Sequence, residues 1–241
     1  MRLLVLGDIH GNLEALTAVL EDARAQGFDR AVSVGDVVGY GADPSACLAL
    51  LRDLKAGIVM GNHDQAATGG LPLDSFNDYA REAVEWTAGR LSAGELAFLK
   101  SLPFVIREKD YAVSHGTLHN PEEFRYLLTE AEAVASLDVL DRPVCFLGHT
   151  HLPVWVRKKG KDLEISQTEP APVEAGRGVL VNVGSVGQPR DGDPRTVYCL
   201  YDTEKRSAIL HRLEYDLNET GRKILAAGLP AILAERLKIG R

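Results

Sequence analysis

The amino-acid sequence predicts an α/β fold that begins as a parallel sheet crossed by helices. Three short apolar runs, at residues 2–6, 31–34 and 58–60, alternate with segments whose apolar residues recur at helical spacing. This β-α-β-α-β order favours parallel strands joined by helical crossovers. Of the 241 residues, 45% are hydrophobic and 25% are charged. These fractions exclude collagen-like, coiled-coil and largely disordered chains.

The two helices between these strands are predicted from their starts and their apolar faces. Asn12 stands at the N-cap position of the first helix, and Leu16 and Leu20 continue its apolar face. The second helix begins at Asp43-Pro44, a cap residue followed by a first-turn proline. Each helix therefore presents one apolar face to the sheet.

The rest of the chain predicts a helical insert and then a second set of strands. Residues 65–102 change to two helical segments, with an apolar stripe through Phe76, Tyr79 and Val84 and a capping box at Ser92. We expect this insert to lie over or beside the core of a single domain that spans residues 1–241. Strand-like runs follow at residues 104–106, 111–114, 144–147, 154–156, 163–165, 179–183, 197–201 and 208–213. A helix starting at Thr129, a surface loop at 167–177 and two helices in the tail complete the prediction.

Charge and cysteine content narrow the class of protein. The formal net charge is −7, which argues against sequence-independent binding to duplex DNA, because that binding needs many Lys and Arg at phosphates. The cysteines, Cys47, Cys145 and Cys199, have apolar neighbours and form no CxxC pair, as expected of buried thiols in a reducing compartment. The sequence holds no apolar run of membrane-spanning length and no signal-peptide core. We therefore expect a cytoplasmic protein with no membrane partner.

Side chains of the kinds that bind metals directly follow five predicted strands. They occur, in order, as Asp8-x-His10, Gly35-Asp36, Gly61-Asn62-His63-Asp64, Ser114-His115-Gly116 and Gly148-His149-x-His151. Carboxyl ends of parallel strands gather at one edge of a sheet, so these side chains are expected to converge. Taken singly, an Asp after a strand is most often a helix cap or a turn residue, the block at 61–64 could be a turn, and His149-x-His151 could be alternate residues of an exposed strand. The five together predict a metal site, because Asp and His suit Mn, Fe, Zn or Co and burying them without a cation is costly.

This ordered set resembles the calcineurin-like metallophosphoesterase superfamily over residues 1–201, with every block present. Residues 182–190, together with Tyr40, further resemble the small prokaryotic phosphodiesterase branch, some of whose members act on dinucleoside polyphosphates. The resemblance implies a four-layer αββα sandwich of two mixed sheets. It also implies two divalent cations, Mn²⁺ first, with Fe, Zn, Co and Ni also compatible. The implied ligands are Asp8, His10, Asp36 and His151 for one ion, and Asp36, Asn62, His115 and His149 for the other.

The implied activity is hydrolysis of small phosphate esters by in-line attack of a hydroxide that bridges the two ions. Among these esters, phosphodiesters and nucleotides are the preferred candidates. His63 is not among the implied ligands, so it is assigned to the leaving group or to transition-state charge. Asp64 is expected to orient the His63 imidazole and to keep it protonated.

Further residues are candidates for substrate binding, each with a plainer alternative. Arg190 is interpreted as a phosphate clamp or as a solvated turn residue, and Tyr40 as a wall of the cleft or a platform for a base. Asn12 either contacts phosphate or, preferably, caps a helix. His119 either touches substrate or, preferably, lies in a surface loop.

Several functional alternatives stay open at this point. One is a phosphomonoesterase or protein phosphatase that uses the same site. Another is a non-catalytic scaffold on the same fold, although such a scaffold is expected to have lost metal ligands. A nuclease is disfavoured by the acidic charge, so we expect a small phosphorylated substrate and no stable nucleic-acid partner. The sequence does not choose between a monomer and a homo-oligomer.

Overall fold

Two mixed sheets of six strands each form the centre of the computed structural model, which describes residues 1–167, 170–174 and 176–241. The strands are β1 (Arg2–Leu6), β2 (Arg30–Ser33), β3 (Gly57–Ile58), β4 (Val105–Arg107), β5 (Ala112–Ser114), β6 (Val144–Leu147), β7 (Val154–Lys159), β8 (Asp162–Ser166), β9 (Ala171–Pro172), β10 (Val179–Asn182), β11 (Thr196–Asp202) and β12 (Ser207–Leu213). The helices are α1 (Leu13–Gln26), α2 (Pro44–Asp53), α3 (Asn62–Ala67), α4 (Asp78–Ala88), α5 (Ala93–Lys100), α6 (Glu130–Asp138), α7 (Leu217–Ala226) and α8 (Ala231–Glu235).

Each sheet combines a parallel centre with antiparallel neighbours. The first sheet has the order β3-β2-β1-β11-β12-β9, in which β1, β2 and β3 are parallel, as the sequence predicts. The second sheet has the order β4-β5-β6-β10-β7-β8, in which β5, β6 and β10 are parallel. Antiparallel pairing of β11 with β1 makes the first sheet mixed, and the outer pairs do the same for the second.

The alternation of side chains along β1 explains why its apolar run has no polar interruption. Leu3 and Val5 belong to a buried cluster that also holds Phe146 of the second sheet, so they fill the space between the sheets. Leu4 and Leu6 belong to a second cluster, which includes α1 and α2. A third cluster joins α6 to the other face of the second sheet. The predicted four-layer αββα sandwich is therefore confirmed.

The segment of the predicted insert is more helical than expected and its apolar stripe is narrower. It contains α3, a single 3-10 turn at Leu73–Ser75, α4 and α5, and the capping box of Ser92 with Glu95 is confirmed. Phe76 precedes α4 and is half-buried, and Tyr79 is 51% exposed. The prediction for Tyr79 was wrong because the buried face of α4 is formed by Ala80, Ala83 and Val84, and Tyr79 points about 100° away from Ala80 around the helix.

Parts of the predicted connections also differ. The surface loop predicted at 167–177 is wrong in part: Thr168, Glu169 and Ala175 lie outside the described residues, but Ala171 and Val173 are buried where β9 pairs with β12. Asp43 does not cap α2, because its carboxylate accepts a hydrogen bond from Lys223 Nζ at 2.9 Å. Within the described ranges, no helix has both the length and the apolar character that crossing a bilayer needs.

The C-terminal helices pack on the predicted insert and enclose Tyr40. Leu233 of α8 and Leu237 share a buried cluster with Tyr40 and with Ala80 of α4. Trp86 Nε1 donates a hydrogen bond to the Ala227 carbonyl at 3.1 Å. Two segments far apart in the sequence therefore form one wall beside the carboxyl ends of the strands.

Gly187 lies where two loops meet too closely for any side chain, so we predict that Gly187→Ala destabilises the fold. A β carbon there would lie 1.8 Å from the Ile9 carbonyl oxygen. Overpacking of this kind typically costs about 1–3 kcal/mol of unfolding free energy. The matched control is Gly94→Ala, in an exposed helical position where a β carbon meets no atom within 4 Å. Urea denaturation should show a loss for the first variant and a gain of about 0.5–1 kcal/mol for the second.

Candidate metal centre

Loops after β1, β2, β3, β5 and β6 bring the predicted polar side chains to one edge of the sandwich. The potential ligand atoms of Asp8, His10 and His151 lie within 4.8 Å of one another, and all three residues are buried. The same holds for a second buried group, which consists of Asp36, His115 and His149. We call these the first group and the second group. The expected convergence of these side chains is therefore observed.

Many of these side chains project from strained backbone. Left-handed φ values occur at Asp8 (42°), His10 (50°), Asp36 (50°), His149 (67°) and His151 (60°). That conformation costs roughly 1–2 kcal/mol for a residue other than glycine. Close-packed glycines help to hold it: a β carbon at Gly61 would lie 2.1 Å from Asp36 Oδ1. Strain concentrated at ligand-type side chains is typical of a functional site.

Hydrogen bonds fix the imidazole tautomers in the first group. His10 Nδ1 lies 3.1 Å from the Val38 carbonyl oxygen, and His151 Nδ1 lies 2.6 Å from that of Gln188. A carbonyl oxygen only accepts, so each Nδ1 carries a proton and each neutral ring offers a lone pair at Nε2. The two Nε2 atoms face each other at 3.2 Å, and Asp8 Oδ1 lies 3.5 Å from that of His151. Lone pairs aimed at one point in this way fit a bound cation.

The second group has the same design. His115 Nδ1 donates to the Val34 carbonyl oxygen at 2.9 Å, which leaves Nε2 to face the group. That Nε2 atom lies 3.0 Å from Asn62 Oδ1 and 3.1 Å from His149 Nδ1. Asp36 Oδ2 lies 3.4 Å from the same atom. Imidazole nitrogens, carboxylate oxygens and one amide oxygen are ligands that divalent transition metals accept, and backbone carbonyls that orient such rings are usual partners of metal ligands.

Burial controls the pKa values of most of the cluster. It lowers the pKa values of His10, His149 and His151 well below the usual range, because an apolar surrounding disfavours the imidazolium. Burial also raises the pKa of Asp8 to about 7, and the nearby Asp36 carboxylate adds to the rise. Neutral imidazoles are the form in which histidine binds metals.

Asp36 and His115 titrate in the opposite direction because they lie together. Burial opposes ionisation of Asp36, but the positive charge of His115 outweighs it, with a further contribution from the His63 and His10 imidazoles, and holds its pKa well below the usual range. Burial alone would lower the pKa of His115, yet Asp36 and Asp8 raise it to about 9. Asp36 is therefore the carboxylate that stays ionised at the centre of the cluster.

His63 lies beside the first group, but Asp64 does not orient it. Asp64 accepts hydrogen bonds from the backbone N–H groups of Val37, Val38 and Gly61 at 3.0, 3.1 and 3.2 Å. Within the described chain, His63 Nδ1 has no hydrogen-bond partner, and burial lowers its pKa to about 4. The expected Asp64–His63 contact is wrong because Asp64 occupies the third position of α3, where an acidic side chain turns back to the start of the helix.

Two of the four candidate substrate residues, Tyr40 and Arg190, lie beside the metal-ligand cluster. The Tyr40 ring contacts those of His10 and His63, with centroids 4.6 and 4.5 Å apart. The Arg190 guanidinium lies 5.9 Å from the Tyr40 ring centroid, and its Nη2 donates to Gln188 Oε1 at 2.9 Å. Both residues therefore adjoin the cluster.

Asn12 and His119 have the plainer of their two expected roles. Asn12 Oδ1 accepts from the Ala15 N–H at 3.1 Å and its Nδ2 donates to the Gly187 carbonyl at 2.9 Å, so the fold itself uses this buried side chain as a helix cap. His119 is exposed in the loop after β5.

A cavity of about 480 Å³ opens beside the two groups, and aromatic residues that the sequence analysis missed line it. Tyr126 stacks on His149, with ring centroids 3.8 Å apart and planes 12° apart. Phe124 meets the His115 ring edge-on at 5.8 Å. The one sequence feature related to these aromatic residues is the glycine at position 116. In the structure, a β carbon there would lie 2.6 Å from the Arg125 carbonyl oxygen. The segment after His115 folds back over the site only because that position is glycine.

The fold and the Asp/His groups are those of a metallophosphoesterase. The model of the calcineurin-like phosphoesterase superfamily domain matches residues 1–206, and the chain belongs to this superfamily. It is 38% identical over 242 residues to an uncharacterized protein of Methanocaldococcus jannaschii, and the alignment covers 98% of this chain and 97% of that protein. It is 39% identical to a metallophosphoesterase of known structure from Sphaerobacter thermophilus, with a TM-score of 0.89 over 100% of this chain and 99% of the other. An archaeal phosphodiesterase, 14% identical with a TM-score of 0.50 over 88% of this chain and 100% of the other, shares the fold.

The position of Asp64 predicts a structural role that does not depend on metal. Asp64→Ala leaves buried backbone N–H groups without acceptors, each of which costs about 1–3 kcal/mol. We expect a loss of at least that size in the unfolding free energy, measured by urea denaturation in the presence of chelator. Asp74→Ala, at an exposed position, is the control and should change stability by less than about 0.5 kcal/mol. Equal stability of the two variants would contradict the assigned role.

Proposed function

We propose that the chain is a metal-dependent hydrolase of small phosphate esters. Its preferred substrates in this proposal are phosphodiesters or nucleotides. One observation carries the proposal: the first and second groups meet at Asp36. Asp36 Oδ2 lies 3.6 Å from His10 Nε2 and 3.4 Å from His115 Nε2. A single carboxylate placed in this way can serve two cations at once.

The donor set divides into two sites that share Asp36. We assign one divalent cation to Asp8, His10, Asp36 and His151, and a second to Asp36, Asn62, His115 and His149. When bound, such a pair lowers the pKa of water and neutralises the charge on phosphoryl oxygens. We expect Mn²⁺ first, with Fe, Zn, Co and Ni also compatible with these ligands.

The remaining polar residues of the site act on the ester. His63 is packed by the rings of Tyr40 and Phe76, with centroids 4.5 and 5.1 Å away, so its ring orientation is fixed without Asp64. Burial keeps the pKa of His63 at about 4 in the free chain, so the negative charge of a bound phosphoryl group has to raise it. We assign His63, once protonated in this way, to hold a proton toward the leaving oxygen or a phosphoryl oxygen. Arg190, anchored by Gln188, is assigned to a phosphoryl oxygen, because a guanidinium binds such oxygens in a planar fork.

The setting of the site supports a small substrate rather than a nucleic acid or a partner protein. The net charge of −7 disfavours nucleic acid, and retention of both groups argues against a non-catalytic scaffold. We propose that residues 1–241 act as one domain with the helical insert at 65–102, since Leu91 and Leu99 share a core cluster with α1 and α2. The three cysteines are buried, and we propose a cytoplasmic location, whose reducing conditions suit buried thiols.

The proposed function predicts hydrolysis of bis(p-nitrophenyl) phosphate that requires an added cation. The full chain with Mn²⁺ should release p-nitrophenol, and chelator should abolish the release. Asp36→Asn should lower kcat/KM by more than the roughly 10–100-fold that follows loss of a ligand's hydrogen-bond partner, and elemental analysis should show less metal per chain. Asp74→Asn is the control with full activity. Protein that carries two Mn²⁺ ions and hydrolyses no phosphate mono-, di- or pyrophosphate ester would overturn the proposal.

The role of His63 predicts a dependence on the leaving group. His63→Ala should lower kcat by about 10²–10⁴-fold for esters of simple alcohols, which need a proton on the departing oxygen. The loss should be much smaller for p-nitrophenyl esters, because p-nitrophenolate departs without a proton. Metal content should stay unchanged. A fall in bound metal would instead make His63 a ligand, a role that its proximity to His10 and Asp36 allows.

A further inference from the structure

Four imidazoles of the metal centre each contact an aromatic ring. The pairs, with their centroid distances, are His10 with Tyr40 (4.6 Å), His63 with Phe76 (5.1 Å), His115 with Phe124 (5.8 Å) and His149 with Tyr126 (3.8 Å). Tyr40 and Phe124 are buried, so their rings complete the packing around the centre. Phe76 is half-buried and Tyr126 is 43% exposed, and both line the cavity.

Tyr126 presents one face of its ring to the cavity. Its other face is covered, since the ring is nearly parallel to that of His149 at 12°. The backbone on its N-terminal side is also held: the Arg125 carbonyl accepts a hydrogen bond from the Thr117 N–H at 2.9 Å, and Phe124 has a left-handed φ of 49°. An exposed aromatic ring fixed in this way is preorganised for stacking, because a ligand need not first order it.

The charges around the cavity disfavour an anionic guest away from the metal centre. Glu122 and Glu123 line it, and Glu123 is paired with Arg125 Nε at 2.5 Å. Among the described residues that line this cavity, none is a lysine or an arginine. The assigned metal ligands Asn62 and His149 line the same cavity, so a ring stacked on Tyr126 lies directly beside a phosphoryl group held at the metal centre. The volume of about 480 Å³ falls in the range of small-molecule sites.

We propose that this cavity binds an uncharged aromatic ring, up to the size of a nucleobase, that stacks on Tyr126 beside Phe76. The ring belongs to the alcohol part of a phosphoester whose phosphoryl group lies at the metal centre, a position that rests on the proposed function. The substrate class is then an aryl-bearing or nucleoside phosphoester.

A matched pair of esters tests the stacking. Benzyl and cyclohexylmethyl phosphates, each as the monoester and as the methyl diester, have equal charge, nearly equal size and similar leaving groups. With Mn²⁺-loaded full chain, we expect kcat/KM to favour the benzyl ester by about tenfold, the value of one base–aromatic stack. Tyr126→Leu keeps an apolar contact on His149 and should bring the ratio toward one. The ratio cancels any general loss of rate that a disturbed His149 causes.

Tyr79→Leu is the control, because Tyr79 is an equally exposed aromatic residue that does not line the cavity. This variant should keep the benzyl preference. Phe76→Leu is the second test variant if Tyr126→Leu does not fold by circular dichroism, and it should also reduce the preference.

Binding to the metal-free chain separates this proposal from the proposed activity. In chelator, saturation-transfer NMR should show contact of the protein with the base protons of adenosine and none with ribose, and Tyr126→Leu should abolish the contact. Adenosine contact without hydrolysis of any ester would uphold the ring site and overturn the hydrolase. Hydrolysis with a benzyl ratio of one and no adenosine contact would overturn the ring site and leave the hydrolase standing.

Discussion

The carboxylate of Asp36 is buried between imidazoles that reach it from the edges of both sheets. His10 approaches from the loop after β1 and His115 from the loop after β5, while Asp36 Oδ1 accepts the backbone N–H of His63 at 2.8 Å. An ionised carboxylate with so little solvent is stable only when it is surrounded by donors or cations. The close approach of the two sheets at this edge, and the glycine at position 61, follow from the need to surround it.

The rest of the fold supplies the rigidity that this arrangement demands. Residues with left-handed backbone are held on both sides by strands whose side chains fill close-packed clusters, with Leu3 and Val5 between the sheets and Leu4 and Leu6 under α1 and α2. Backbone strain at a site persists only when the surrounding structure over-determines it. The strained backbone at this edge therefore lowers the stability of the fold, and the packed layers behind the edge compensate for that loss.

The sequence allowed prediction of the features that follow from local order. Asp8, Asp36 and His149 each come directly after a strand, and strand ends at one sheet edge must meet, so their convergence could be predicted. The prediction of a second sheet, by contrast, depended on the resemblance to a family and not on the periodicity of the sequence.

Features that depend on the direction of a side chain could not be predicted in this way. Asp64 follows His63 in the chain, but neighbouring residues on a helix point about 100° apart, and its carboxylate serves the start of α3. Tyr126 follows no strand and is held by stacking on a residue far along the chain, which no local pattern encodes. Tyr79 was assigned to the buried face because the periodicity alone did not show that this face is centred on Ala80 and Ala83, about 100° around the helix from Tyr79 in the case of Ala80.

The joint wall formed by α4 and the C-terminal helices limits which segments can be exchanged between relatives. Phe76, Trp86 and Leu233 belong to one cluster, and the hydrogen bond from Trp86 to Ala227 ties the two segments together. The family match ends at residue 206, so the tail that supports Phe76 lies beyond it. A chimaera that exchanges only the residues around Phe76 would pack helices from one protein against the C-terminal helices of another. Exchanging this wall between relatives therefore means moving both segments as a unit.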